Sequence, residues 1–271
     1  MLAADLSTEQ FRAISDLVYQ KAGIHLKTGK EALVRARLMK RLRVLGLRSI
    51  TDYMKLIGGD GGQDEINFMV DVMTTNKTSF FREAAHFEFL CDRVLPELDG
   101  ESRVRFWSAA CSSGEEPYTL AMVLKEAVSD LHRRDFLILA TDISRRMLDV
   151  AGRGVYTPDK VKDVPGDLLH KYFERKRGAG GETYRVRREL RGLVRLAYLN
   201  LMQKWPMKGP FQAIFCRNVM IYFDRPTQQE LVNRFHDLLA PGGYLFVGHS
   251  EGLSAIHHQF RYIKPAVYRK R

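Results

Sequence analysis

The stretch RFWSAACSSGEEPYTLA, Arg105 to Ala121, decides how the second half of this chain is read. It begins as a buried strand and ends as a helix. Between them lies a run of small residues, Ser108, Ala109, Ala110, Cys111, Ser112, Ser113 and Gly114. A nucleotide-binding α/β protein turns from its first strand into its first helix at such a place. The usual glycine fingerprint is missing, and the helix opens with Glu115 and Glu116.

Two carboxylates at a helix N-terminus repel a pyrophosphate, which backbone N–H groups and the dipole would otherwise hold there. They accept hydrogen bonds from an ammonium group or from ribose hydroxyls. S-adenosylmethionine has a ribose, an amino group and a sulfonium but no phosphate, so it suits this turn. The competing reading is that Glu115 and Glu116 only complement the helix dipole, with Pro117 setting the first turn.

Strands alternate with helices from this stretch onward. From about Arg103 the candidate strands are 104–109, 136–142, 193–200, 211–217 and 243–249, with helices at 115–129, 144–152 and 226–239. The strands are rich in Val, Ile, Leu and Phe, as strands covered on both faces are. The alternation predicts an α/β domain with a mostly parallel sheet. The C-terminal FRYIKPAVYRK is expected to add one edge strand tolerant of Pro265.

The second strand ends in Asp142, where an acidic side chain holds ribose hydroxyls in nucleotide-binding folds. Asp142 stands two residues early for a cap on the helix near Ser144, so the ligand role is favoured. The fourth strand runs into Arg217 and Asn218, with Tyr222 shortly beyond. No Asn/Asp-Pro-Pro-Tyr/Phe motif follows, which speaks against an amine acceptor.

Residues 153–192 break the alternation. The span 153–198 carries twelve Lys and Arg against six Asp and Glu, with a turn-like RGAGGE. It reads as a small antiparallel insertion. Upstream, residues 7–73 read as helices. Ser7 and Gln10 form a capping-box pattern, and a helix at 31–45 places Val34, Leu38, Leu42 and Leu45 on one face. Arg37, Lys40 and Arg43 fall opposite, with Arg35 and Arg41 flanking. Between Lys27 and Arg48 there are eight basic residues and one acid, Glu31. Shorter helices are expected near 52–57 and 64–73, with GGDGG at 58–62 as a loop.

Over the whole chain of 271 residues the formal net charge is +11, which favours acidic partners. Cys91, Cys111 and Cys216 show no CxxC spacing, so neither a disulfide framework nor a zinc knuckle is expected, and a reducing compartment is. Cys111 is read as a buried, unreactive thiol. His249, His257 and His258 are read as packing or surface residues. The start lacks a signal-peptide pattern, and no apolar run reaches the ~18 residues of a membrane span.

The motifs NKTSFFRE (76–83), WSAACSSGEEPYTLA (107–121), ATDIS (140–144), LNL (199–201), FCRNVMIYF (215–223) and GHSE (248–251) together resemble the chemotaxis receptor methyltransferases of the CheR type. The resemblance runs over nearly the whole chain. It implies a Rossmann-like S-adenosylmethionine-dependent methyltransferase domain at 103–271 with a β-subdomain at 153–192. Ahead of it stand an all-α receptor-recognition domain at 1–73 and a linker that contacts the cofactor at 74–102. It implies methyl transfer from S-adenosylmethionine to glutamate side chains of membrane chemoreceptors, leaving S-adenosylhomocysteine. It assigns cofactor contacts to Asn76, Thr78, Arg82, Glu116, Asp142, Asn200, Leu201, Arg217 and Asn218. Tyr222 then borders the transferring methyl, and Tyr222 and Arg217 are the candidate catalytic residues. No metal is implied. The expected partners are acidic cytoplasmic receptor helices at the basic helix 31–45, and in some family members a receptor C-terminal peptide at the insertion. Nucleic acid and membrane insertion are not expected, and a cytoplasmic location is. Two other classes stay open, an RNA or small-molecule methyltransferase and a non-catalytic ligand sensor; transfer of labelled methyl to receptor, to RNA or to nothing separates them.

Overall fold

Ser7 starts the first helix as its spacing to Gln10 predicts: its hydroxyl accepts from the Gln10 N–H while the Ser7 N–H donates to Gln10 Oε1, both at 3.1 Å. This computed structural model describes residues 5–60, 62–74 and 76–271. They form two compact units, one of the described residues up to 74 with 222–227, the other of 76–221 with 228–271.

In the first unit helices α1 (Thr8–Ala22), α2 (Glu31–Leu45), α3 (Ile50–Gly58) and α4 (Gly62–Met73) follow in order. Their apolar positions recur at helical spacing and bury one stripe each, among them Ile14, Val18, Val34, Leu38, Leu42, Tyr53 and Met69. Leu45, expected on that stripe, is only half-buried, because Gly46 ends the helix in the left-handed conformation one residue later. Glu65 is buried and accepts from the Arg41 guanidinium at 2.8 and 2.6 Å and from the Tyr53 hydroxyl at 2.8 Å. The glycine cluster is a shorter loop than expected, since Gly58 closes α3 and Gly62 opens α4; Gly61 lies outside the described residues.

In the second unit, α5 (Ala85–Phe89), a π-helical turn at Leu90–Val94 and α6 (Leu95–Glu97) precede the sheet. Residues 74–102, read as a linker, thus hold helices whose Phe87, Leu90 and Val94 enter the core with Phe80. Strand β1 (Arg103–Ala109) leads through the small-residue turn to α7 (Glu115–Ala127), and β2 (Asp135–Asp142) leads to α8 (Arg145–Arg153). The insertion then runs β3 (Val155–Tyr156), α9 (Pro158–Val161), α10 (Gly166–Tyr172), β4 (Phe173–Gly178), β5 (Gly181–Val186) and α11 (Arg188–Arg191). Its strands pair antiparallel in the order β3-β5-β4, as the turn-like RGAGGE predicts, with three short helices added that the sequence pattern did not show.

The chain returns through β6 (Val194–Tyr198), β7 (Phe211–Cys216), α12 (Arg225–Leu238), β8 (Leu239–Val247), β9 (Arg261–Lys264) and β10 (Val267–Arg269). The large sheet has the order β6-β2-β1-β7-β8-β10-β9. The first five strands are parallel, and β10 and β9 are antiparallel additions. The single edge strand expected at the C-terminus is therefore a hairpin. Pro265 falls in its turn, where its missing N–H breaks no ladder bond, and Ala266 takes φ of 64°. Parallel strands with carboxyl ends together bring the ends of β1, β2 and β7 to one edge, where a ligand of such a sheet lies. Among the described residues no helix is long and apolar enough to cross a membrane.

Candidate active site

Two clusters stand at that edge. The first is built on the turn after β1. Ala110 and Cys111 donate their backbone N–H groups to the Thr141 carbonyl at 2.8 Å each, and the Ser112 N–H donates to Asp142 Oδ2 at 2.8 Å. The other oxygen of Asp142 accepts from the Ser144 N–H at 2.8 Å, while Ser144 itself caps α8 through Met147. Asp142 is therefore not the cap. It is a buried carboxylate aimed by two backbone donors. The Ser112 hydroxyl reaches the Asn76 carbonyl at 3.3 Å, and the Leu199 N–H donates to the Asp142 carbonyl at 3.1 Å, which sets buried Asn200 and Leu201 beside the same strand end. Gly114 has φ of 95°, and a Cβ there would stand 2.8 Å from the Ala151 Cβ. The turn needs glycine for both reasons.

The second cluster centres on Arg217, whose side chain is only 2% exposed. Its Nη1 donates to Glu116 Oε2 at 2.9 Å, and Nη2 lies 3.2 Å from Glu83 Oε2 and donates to the Arg82 carbonyl. Glu116 also accepts from the Ser108 hydroxyl at 2.7 Å. Asn218 Nδ2 donates to Glu83 at 3.2 Å. Burial pushes the Glu83 carboxyl up, but Arg217 and Asn218 together hold it below the usual carboxylate range. Glu116 is raised by burial against the pull of Arg217. The Arg82 guanidinium folds back on the Lys77 carbonyl at 2.8 Å, closing the loop that holds half-buried Thr78.

The structure separates the two glutamates of the opening stretch. Glu116 faces Arg217, whereas Glu115 is fully buried, accepts from the Ser113 hydroxyl at 2.6 Å and pairs with Lys160 of the insertion at 3.4 Å. Tyr222 belongs with the first unit, where its carbonyl accepts from the His25 N–H at 2.8 Å. Cys111 is buried and burial drives its thiol well up, the unreactive state expected of it. The three cysteines are free. The expected basic face of α2 is reduced: Arg37 donates to the Met73 carbonyl at 2.6 Å and Arg41 is held by Glu65, which leaves Lys40 and Arg43 exposed opposite the core.

Sequence reasoning missed Glu83, His86 and Glu251. Glu251 is buried and accepts from the backbone N–H groups of Asn218 (2.6 Å), Gly248 (2.7 Å) and Ile221 (3.1 Å), so one carboxylate joins the loops after β7 and β8. The GHSE string contained it together with Gly248, but its partners Asn218 and Ile221 lie 33 and 30 residues away. His86 is buried between Phe246 and His249. Ligand atoms of Glu83, His86 and His249 come within 4.8 Å of one another. The guanidinium of Arg217 already occupies the cationic position beside Glu83, so this geometry favours an ion pair over a metal ion.

Burial and then the charge of Arg217 push the His86 imidazole from 6.5 down to about 3. The folded protein keeps it neutral, while the unfolded chain takes up a proton below 6.5. Stability from this group is thus complete above pH 6.5 and is lost as pH falls toward 3. Between pH 7.5 and 5.0 the loss is about 2 kcal/mol, at roughly 1.4 kcal/mol per unit below 6.5. Denaturant unfolding of His86→Leu and the parent at both pH values checks this. The parent is expected to lose about 2 kcal/mol more than the variant; equal losses refute it.

Two family models cover the chain. Residues 76–269 match the CheR methyltransferase, SAM binding domain, and residues 9–74 match the CheR methyltransferase, all-alpha domain. Among curated proteins the chain is similar to the chemotaxis protein methyltransferase of Escherichia coli K12, 44% identical over 97% of this chain and 91% of that protein. It is 41% identical to a probable chemotaxis protein methyltransferase of Rhizobium etli, over 93% of this chain and 96% of that one. It is 38% identical to that of Borreliella burgdorferi, over 99% and 96%.

Proposed function

Because the chain belongs to the CheR methyltransferase family, and so is an S-adenosylmethionine-dependent methyltransferase of chemotaxis, we propose that its acceptors are glutamate side-chain carboxylates on the cytoplasmic helices of chemoreceptors. The observation that carries this reading is the Arg217 site. A buried guanidinium holds two carboxylates and keeps its Nε–H without a partner among the described residues. A buried orphan donor suits a further carboxylate, and the reaction offers two, on the cofactor's amino-acid end and on the substrate.

The residues at the sheet edge fit the cofactor. Asp142 is an acceptor aimed at a strand end, the turn before it has no bulky side chain, and Glu116 adds a second acceptor. Asn76, Thr78, Arg82, Asn200, Leu201 and Asn218 are proposed to complete its contacts. S-adenosylmethionine, when bound, supplies an already activated sulfonium methyl. The acceptor carboxylate is ionised at neutral pH, so the protein needs no general base. Its tasks are to align the carboxylate and to exclude water. Arg217 orients the carboxylate, and Tyr222 shapes the methyl's path.

The decisive assay is transfer of labelled methyl to receptor protein, with base-labile release showing an ester. Label on RNA instead, or no transfer, refutes the proposal. Asp142→Ala is expected to weaken S-adenosylhomocysteine binding by roughly 10- to 150-fold, ~1.5–3 kcal/mol, in calorimetry of the folded variant. Tyr222→Phe is expected to leave that affinity alone and lower kcat. The opposite pattern would exchange the two assignments.

Receptor docking is assigned to α2, and a receptor C-terminal peptide, where one is used, to the insertion. Lys40 and Arg43 carry the test, since removing Arg37 would break its tie to Met73. Replacing both by Ala is expected to slow receptor methylation severalfold at low salt, with little change at high salt or in cofactor affinity. An unchanged rate at low salt assigns them to an ordinary solvated face.

A further inference from the structure

Four arginines line one cavity of about 620 Å³ in the second unit: Arg145 and Arg153 at the two ends of α8, Arg185 on β5 and Arg191 on α11. One acid, Asp149, shares it. Among the described residues none of these five groups is in an ion pair. Elsewhere in the insertion Arg175 and Arg177 share Glu182, at 2.5 and 3.2 Å. Four cations converging on one concavity repel each other, and an anion relieves that repulsion.

Two of the four are already positioned. Arg191 donates to the Gly152 carbonyl at 2.9 Å, and the Arg145 guanidinium lies over the Tyr198 ring at 4.4 Å from its centroid. Fixing a guanidinium in advance lowers the ordering cost of binding. Leu148, Leu196 and Ala197 give the cavity an apolar wall, and Arg145 with Tyr198 gives it a flat stacking face. Guanidinium groups take phosphate oxygens two at a time, and flat cationic faces take aromatic rings. The volume is that of a small-molecule site.

We propose that this cavity is a second ligand site, separate from the cofactor edge, and that it takes a nucleoside phosphate. A peptide bound by strand addition needs an open sheet edge, and β5 lies between β3 and β4. The site abuts the strand that carries Asp142, since Tyr198 stands opposite Asp142 in the β2–β6 ladder.

The test is calorimetry on the full chain saturated with S-adenosylhomocysteine, so that the adenosine site is blocked. Guanosine diphosphate and inorganic pyrophosphate are titrated at about physiological salt, where weak surface attraction is screened. The expected result is saturable one-to-one binding of guanosine diphosphate, tighter than pyrophosphate. Arg153→Ala with Arg185→Ala should weaken it at least tenfold. The paired Lys replacements should fall between, because they keep charge and lose the two-pronged geometry. Both exposed positions leave the fold intact, which unchanged S-adenosylhomocysteine affinity verifies. No binding to the parent, equal binding by the double Ala variant, or binding of an acidic peptide but not of guanosine diphosphate would each overturn the proposal.

Discussion

Arg217→Met is expected to destabilise the protein by about 3–5 kcal/mol and to abolish measurable cofactor binding. The size follows from what remains. Removing one partner of a buried ion pair strands the other charge, and here Glu83 and Glu116 both lose the same cation. Ser108 and Asn218 still donate to them, which keeps the loss near the range for one broken pair. Arg217→Lys retains charge but cannot reach Glu116, Glu83 and the Arg82 carbonyl at once, so it should recover only part. Adding Glu83→Gln to Arg217→Met removes one stranded charge and is expected to restore 1–2 kcal/mol, by roughly the cost of one unsatisfied buried group. Urea unfolding of the four proteins decides it. A loss under 1 kcal/mol in Arg217→Met would mean that water reaches both carboxylates.

Glu251→Ala is the second large effect, expected to cost about 3–5 kcal/mol. Three backbone N–H groups lose their acceptor, each worth roughly 1–3 kcal/mol when left buried, with partial repair by entering water. The damage is local to the loops after β7 and β8. Gly248 shows how closely they meet, since a Cβ there would stand 2.6 Å from both Asn218 Nδ2 and Glu251 Oε2. Glu251→Gln has the right shape but offers one oxygen, and its amide confronts a backbone donor, so it should fall between Ala and the parent. Thermal unfolding with S-adenosylhomocysteine titration checks both. If Glu251→Ala unfolds with the parent, the carboxylate is not what joins the loops.

The strand–helix alternation of the second unit was legible because strands buried on both faces are continuous apolar runs and the turns between them are polar. The carboxyl edge of the sheet was legible at Asp142, since a residue that ends a parallel strand stands at that edge. The partnerships were not. Arg217 and Glu83 are 134 positions apart in the chain, and no local pattern links them. Local conformation was hidden too. Phe81, Glu83, Ala110, Ser112 and Asn218 adopt φ between 49° and 72°, which no propensity would assign to Phe or Glu. Such positions cost of order 1–3 kcal/mol each, and they gather at this edge because tertiary bonds hold them there. The basic face of α2 was over-read for the opposite reason: periodicity places a side chain on a face but does not tell that Arg37 will bend to a carbonyl on α4.

The turn after β1 bears on how quickly this edge can breathe. Alternating handedness at Ala110, Ser112 and Gly114 points successive amides to one side, as in an anion-binding nest. In this protein the amides of Ala110, Cys111 and Ser112 are spent on the Thr141 carbonyl and the Asp142 carboxylate, so a loop by name carries bonds typical of a ladder. Amides held in that way exchange with solvent at the pace of the sheet and not of a surface loop. The carboxyl edge of the sheet is then a rim that is already set.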